Sequence, residues 1–378
     1  MSEFAQILRD KKLDRQSPDT STMIDNITTD QVRRHLAQPP GRYSIDRLMA
    51  LLSPAASELL EEMAQQARQL TIQRFGRTVQ MYAPLYVSNV CVNSCLYCGF
   101  NCQTEFSRTR LTIDQAVKDG KVIASEGFRH ILLVSGEDTK YVTNDYLAEL
   151  AQRLREDFSS VSIEIYPLDE AGYKNCFDAG IDGVTLYQET YDRDTYERYH
   201  IAGPKADYDQ RLDSYDRAAR AGMRRLGLGV LLGLADWRQE TLALAEHAAY
   251  LMKKYWRSQV SFSFPRLRPA PHVAEEYEHL VGERELVQMM IALRLCFADA
   301  GIVLSTRESA ELRNNAVNLC VTRISAGSKT NPGGYSEEDD STEQFVIADD
   351  RDPSEVAKMI KRAGREAVWK DWDTSFTA

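Results

Sequence analysis

The chain lacks an excess of positive charge. Its 46 Lys and Arg stand against 56 Asp and Glu, giving a formal net charge of −10 over 378 residues and a pI near 5.3. No long Lys/Arg block interrupts that balance, so a protein that grips nucleic acid through its phosphates is excluded. Long apolar runs are missing too. The longest, residues 227–235, falls far short of the ~20 residues that a membrane span requires. The first twelve residues carry charges where a signal peptide needs an apolar core, so the expected location is the cytoplasm. No low-complexity tract or repeat is visible. What remains is 43% hydrophobic and 27% charged, the composition of a globular protein large enough for one big barrel or two medium domains.

An evenly spread set of cysteines is also absent. There are seven, an odd number; Cys91, Cys95, Cys98 and Cys102 crowd into twelve residues while Cys176, Cys296 and Cys320 are scattered. A secreted disulfide framework would distribute an even set through a shorter chain. The clustering points instead to metal ligation in a reducing compartment.

Residues 27–75 read as helical, with starts at Thr29-Asp30-Gln31-Val32, at Ser44, and at Ser53-Pro54, where a long amphipathic segment opens and runs to Gly76. Strands are expected at 85–90, 131–135, 161–166, 183–187, 225–232, 260–264, 302–305 and 319–324, separated mostly by helical patterns with caps at Thr112 and Thr143. Eight strands alternating with helices predict the α/β class and a (β/α)8 TIM-type barrel, with a doubly wound open sheet as runner-up. The expected division is an N-terminal helical extension over 1–79, the barrel over 80–325, and a C-terminal loop and helix packed on it over 326–378. The acidic run 336–341 is expected as a solvated loop.

Barrel active sites sit at the C-terminal ends of the strands. Cys91-Val92-Asn93-Ser94-Cys95-Leu96-Tyr97-Cys98-Gly99-Phe100 follows directly on the first strand and places three thiolates on one loop at the mouth. Thiolates at x3 and x2 intervals can wrap three corners of an iron–sulfur cubane and leave its fourth iron open to a substrate. A zinc site would more typically pair two separated Cys units. Cys102 as a fourth ligand would make the chain an electron carrier; the favoured place for it is near the cluster but off it.

Cys-x3-Cys-x-Tyr-Cys resembles the signature of the radical S-adenosylmethionine (SAM) enzymes, and the extended form is similar to their tyrosine lyase branch. The resemblance continues through Leu133-Val134-Ser135-Gly136-Glu137, Tyr187-Gln188-Glu189-Thr190-Tyr191, Phe264-Pro265-Arg266-Leu267-Arg268-Pro269, Leu304-Ser305-Thr306-Arg307-Glu308, Ser325-Ala326-Gly327-Ser328 and Pro332-Gly333-Gly334-Tyr335. In this order the blocks resemble the 2-iminoacetate synthases of thiazole (thiamine) biosynthesis. The resemblance implies a 4Fe–4S cluster on Cys91, Cys95 and Cys98. It implies SAM contacts from Tyr97, Gly136, Glu137, Glu189 and Arg211, and substrate carboxylate contacts from Arg307 and Ser325, with Arg268 and Arg266 as helpers. Without the family, Arg211 reads equally as a surface ion pair with Asp207 or Asp213. Gly227, Gly229 and Gly233 are read as letting the backbone approach the cofactor, with tight barrel packing as the alternative.

The reaction so implied is cleavage of the Cα–Cβ bond of L-tyrosine to 2-iminoacetate and p-cresol. The cavity is expected to be closed by the N-terminal helices and C-terminal loops, and no side chain is assigned as catalytic. Thiazole synthase and a flavodoxin-like reductant are the implied partners; no nucleic acid or membrane is. A related tryptophan lyase and the hydrogenase-maturation tyrosine lyase are the nearest rivals. The latter carries further cysteines near its C-terminus, and here none follows Cys320.

Overall fold

The structure, a computed structural model, describes residues 2–270, 273, 276–336 and 342–371. Of the acidic run, residues 337–341 lie outside these. Eight parallel strands form the centre: β1 (Thr78–Ser88), β2 (His130–Ser135), β3 (Ser160–Glu164), β4 (Ile181–Thr185), β5 (Arg225–Gly229), β6 (Gln259–Ser263), β7 (Gly301–Leu304) and β8 (Arg323–Ser325). Each pairs with the next, and β8 returns to β1 with Gln80 opposite Arg323 and Tyr82 opposite Ser325, which closes the barrel. The runner-up open sheet is thereby eliminated. A further strand, β9 (Glu366–Val368), adds to the beginning of β1.

All eight expected strands are present, with shifted ends. β1 starts at Thr78 rather than 85 because it alternates. Val79, Met81, Ala83, Leu85 and Val87 are fully buried toward the surrounding helices, while Tyr82 and Tyr86 turn to the lumen with Leu132, Val134 and Phe100. That alternation reads from sequence as an interrupted apolar run, although removing each large aliphatic side chain from water is worth ~1.5–3 kcal/mol. β5 ends at Gly229, and the chain stays extended beyond it through single bridges from Val230 to Glu189 and from Leu232 to Arg266.

The N-terminal helices begin earlier than expected, with Glu3–Asp10 and Pro18–Asp25. The caps fall as read: Thr28 and Gln31 form a capping box, and Ser44 and Ser53 accept from the Arg47 and Ala56 amides. The segment opened by Pro54 is two helices, Pro54–Ser57 and Leu60–Phe75, which ends at Gly76 with φ +66°. These helices pack on the barrel's flank. Phe4 stacks on His247 at 4.0 Å, and the Gln288 amide donates to the Leu51 and Ser53 carbonyls at 3.0 Å each. Among the described residues, none before Tyr82 lines the cavities at the C-terminal ends of the strands, and Phe75 and Thr78 reach only the hollow at the opposite end, so the expectation that this extension closes the cavity is corrected. Its apolar face is already used against the outer helices. The roof comes from the C-terminal segment, where Gln344 accepts from the Tyr86 hydroxyl at 2.7 Å and the Thr330 hydroxyl donates to the Phe345 carbonyl.

Candidate active site

The loop after β1 carries the cysteines and is pinned by one guanidinium. Arg108 donates to the carbonyls of Asn89, Phe100, Asn101 and Thr104, tying together a stretch of irregular backbone. Ser94–Cys95 pairs antiparallel with His200–Ala202, which draws a later loop over the cysteines. Cys95 is buried, Cys91 and Cys98 are half-buried, and all three line one hollow at the barrel mouth. Cys102 is exposed, and its amide is spent on the Asn93 carbonyl.

Burial pushes the Cys95 thiol up to about 12 and raises that of Cys98 as well. Buried thiols become thiolates only when a cation offsets their desolvation, which is what iron supplies. No three His, Cys, Asp or Glu side chains among the described residues converge on a single-ion site. A cubane does not require that, since each thiolate holds its own iron. The three thiols therefore fit a 4Fe–4S cluster.

Beside the cysteines lies a polar network. Asn93 donates to the Glu137 carboxylate at 2.6 Å and faces the Cys91 sulfur at 3.5 Å. Gly136 has no room for a side chain, because a Cβ there would stand 2.3 Å from the Val90 carbonyl oxygen. Glu189 takes φ +70°, a conformation costing ~1–3 kcal/mol in a non-glycine residue. Buried Glu240 holds this turn by accepting from the Thr190 hydroxyl and the Tyr191 amide, both at 2.8 Å. The Glu189 carboxylate then meets Lys205 at 2.7 Å and Arg211 at 3.4 Å. Burial raises its carboxyl, and Lys205 and Arg211 outweigh that to hold it below its ordinary value. Arg211 also donates to the Tyr187 carbonyl at 2.6 Å. It turns inward, so the reading of a surface pair with Asp207 or Asp213 falls away. The Tyr97 hydroxyl meets His200 Nε2 at 2.8 Å, while His200 Nδ1 lies 2.7 Å from the Tyr196 carbonyl. Burial, with Lys205, lowers His200 to about 3, so the ring is neutral and Tyr97 is the donor.

Across the lumen, Arg307 lies over the Phe345 ring at 3.5 Å. It pairs with no carboxylate among the described residues. Ser325, buried at the end of β8, accepts from the Thr306 amide at 3.1 Å, and its carbonyl accepts from Arg313. Arg307 and Ser325 line the same cavity. Arg266 and Arg268 are both committed to Glu308, Arg266 through two hydrogen bonds and Arg268 through one at 2.9 Å. Arg266 is therefore removed as a free helper, and Arg268 reaches the cavity wall with its charge shared.

Among the lumen residues to which the sequence assigns no role are Lys205, Asn93 and Glu164. Lys205 sits in Gly203-Pro204-Lys205, which looks like a solvated turn; the small antiparallel pair folds it inward, and Gly203 at φ +94° lets it lie against Asn93. Asn93 lies between two cysteines and carries no distinguishing signal of its own. Glu164 ends β3, and its signal was position alone: a carboxylate closing an apolar strand in a barrel. The glycines on and after β5 are a correction. A Cβ on Gly227 would meet the Thr185 hydroxyl at 2.7 Å, one on Gly229 the Tyr187 ring at 2.5 Å, and one on Gly233 the Leu267 side chain at 2.7 Å. Packing against neighbouring side chains already accounts for them.

A closed parallel barrel with a three-cysteine loop after its first strand defines a radical SAM enzyme, and residues 85–245 match the radical SAM superfamily. Residues 263–366 match the biotin and thiamin synthesis associated domain. The 2-iminoacetate synthase of Escherichia coli K12 is 46% identical over 330 residues, 87% of either chain, and that of Salmonella typhimurium LT2 is 42% identical over 94% of either chain. The chain belongs to the 2-iminoacetate synthase family. Among solved structures, the FeFe-hydrogenase maturase HydG from Carboxydothermus hydrogenoformans superposes with a TM-score of 0.83 at 31% identity, covering 97% of this chain and 82% of that one. Methylornithine synthase shares the fold, with a TM-score of 0.69 at 21% identity over 92% of this chain and 98% of that one. Among the described residues no helix is long and apolar enough to cross a membrane.

Proposed function

We propose that this chain is a radical SAM lyase that cleaves the Cα–Cβ bond of L-tyrosine, giving 2-iminoacetate and p-cresol for the thiazole moiety of thiamine. The observation that carries it is one lumen holding both a three-thiol loop and, across from it, a cavity-facing arginine that forms no ion pair among the described residues, in a chain 46% identical to a 2-iminoacetate synthase. When bound, the 4Fe–4S cluster and SAM supply hydrogen-atom abstraction. Cys91, Cys95 and Cys98 hold the cluster. Gly136 lets the cofactor lie against the β2 backbone, while Glu137, Glu189 and Arg211 present charges set by Asn93 and Lys205, and Tyr97 closes the side. Arg307 pairs with the substrate carboxylate, supported by the Ser325 hydroxyl and Arg268. Water is kept out by the C-terminal segment through Gln344 and Phe345, as a reactive radical requires.

The finer assignments belong to the same reading. Residues 1–79 serve as a helical extension, 80–325 as the catalytic barrel and 326–378 as its cover. The enzyme works in the cytoplasm, takes electrons from a flavodoxin-like donor, and hands its water-labile product to thiazole synthase. The test is an anaerobic assay of the iron-reconstituted protein with dithionite, SAM and either L-tyrosine or L-tryptophan, followed by chromatography. p-Cresol and glyoxylate, the hydrolysis product of iminoacetate, are expected with tyrosine alone. Turnover of tryptophan alone would overturn the substrate assignment, and no SAM cleavage with either would overturn the lyase reading.

A further inference from the structure

Glu164 stands at the C-terminal end of β3 and borders the cluster-side hollow, the central cavity and the passage between them. Around it are the hydroxyls of Tyr82, Tyr86 and Tyr187, the Arg307 guanidinium, the Lys205 ammonium and the Glu189 carboxylate. The other lumen carboxylates are engaged: Glu189 with Lys205 and Arg211, Glu308 with Arg266 and Arg268, and Glu137 with Asn93. Glu164 forms no ion pair among the described residues. The Tyr187 hydroxyl donates to it, and a carboxylate in an enclosed lumen with no ion-pair partner is costly, as is the facing Arg307. The two line the same two cavities, and each acts on the other's charge without touching. Two complementary charges left open on one lumen match a zwitterion whose charged groups share a single carbon, that is, the head of an α-amino acid.

We infer that Glu164 binds the α-ammonium group of the substrate while Arg307 takes its carboxylate, so that the pair selects an amino acid and aims its nitrogen toward the cluster side. This rests on the aromatic amino-acid lyase reading and deepens it: Glu164 is a substrate-binding residue that sets specificity for the amine. Burial raises its carboxyl to about 7, with Arg307 opposing. Below that pH the empty site loses its negative charge, and tyrosine affinity is expected to fall.

The test is anaerobic calorimetry on the reconstituted, SAM-loaded enzyme without reductant, comparing L-tyrosine with 3-(4-hydroxyphenyl)propanoate, which lacks only the amine. Wild type is expected to prefer tyrosine by ~10–100-fold, the span of a charge-assisted hydrogen bond in a dry site. E164Q should bring the two ligands near parity, leave the affinity for the desamino acid and for SAM unchanged, and remove the inflection near neutral pH. E164D, which keeps the charge on a shorter arm, should retain part of the preference. A wild-type preference persisting undiminished in E164Q would overturn the inference while leaving tyrosine turnover, and with it the lyase reading, intact. If turnover occurs with tryptophan alone, the same ratio measured with tryptophan and indole-3-propanoate decides the role of Glu164 independently of the substrate assignment.

Discussion

On the cluster side of the lumen the charges are paired in advance: Glu189 with Lys205 and Arg211, Glu137 with Asn93. Arg307 on the opposite side, and Glu164 where the two sides meet, form no ion pair among the described residues, although Arg266 and Arg268, one strand away, both bind Glu308. The difference separates two ways of holding a ligand. Pre-paired groups present a fixed pattern of donors and acceptors to a cofactor whose position must be the same in every turnover. Unpaired groups wait for a ligand that brings the missing charges, so affinity and selectivity both reside there.

The comparison breaks most severely at the cysteines. Alanine at Cys91, Cys95 or Cys98 is expected to abolish iron–sulfur content and SAM cleavage, whereas Cys102→Ser retains both, measured by iron and sulfide analysis beside 5′-deoxyadenosine release. An inactive Cys102→Ser protein would sink the three-ligand assignment.

Pre-pairing on the cluster side is next. Glu189 is held below its ordinary carboxyl range, so its contribution to stability is present above the unfolded value and lost as pH falls through the lower folded one. Lys205→Met removes the larger of the two opposing cations. It should cost ~3 kcal/mol at neutral pH in thermal denaturation, with the gap to wild type narrowing on acidification; a gap that widened would reverse the sign argued here. Gly136→Ala drives a methyl into the Val90 carbonyl and is expected to cost ~1–3 kcal/mol and to lower cluster occupancy. Tyr97→Phe is the mildest. Losing the bond to His200 should weaken the fold by ~1 kcal/mol without adding a pH dependence between 5 and 8, because burial keeps the His200 ring neutral throughout that range.

The two sides were not equally legible from sequence. The cysteine loop announces itself because ligand spacing is local, and the barrel follows from alternation that each strand repeats. Arg307 and Ser325 came through resemblance, since a strand-end arginine has many uses. Lys205 and Asn93 were invisible for a physical reason. Their burial depends on the pairing of Ser94–Cys95 with His200–Ala202, about a hundred residues apart in the chain, and nothing local marks a short irregular pair. Glu164 was hidden in the same way, for one polar residue closing a strand looks like an ordinary turn until the barrel shuts around it. The glycines of β5 show the opposite error: a suggestive pattern explained by the ring of Tyr187 and the hydroxyl of Thr185.

The measurement that bears most directly on the division of the lumen is a pair of affinities, for SAM and for L-tyrosine, on reconstituted Arg307→Gln. The account predicts SAM binding unchanged and tyrosine binding weakened ~10–100-fold, the worth of one charge-assisted contact in a dry cavity. Loss of SAM affinity together with that of tyrosine, or tyrosine binding undiminished, would contradict it.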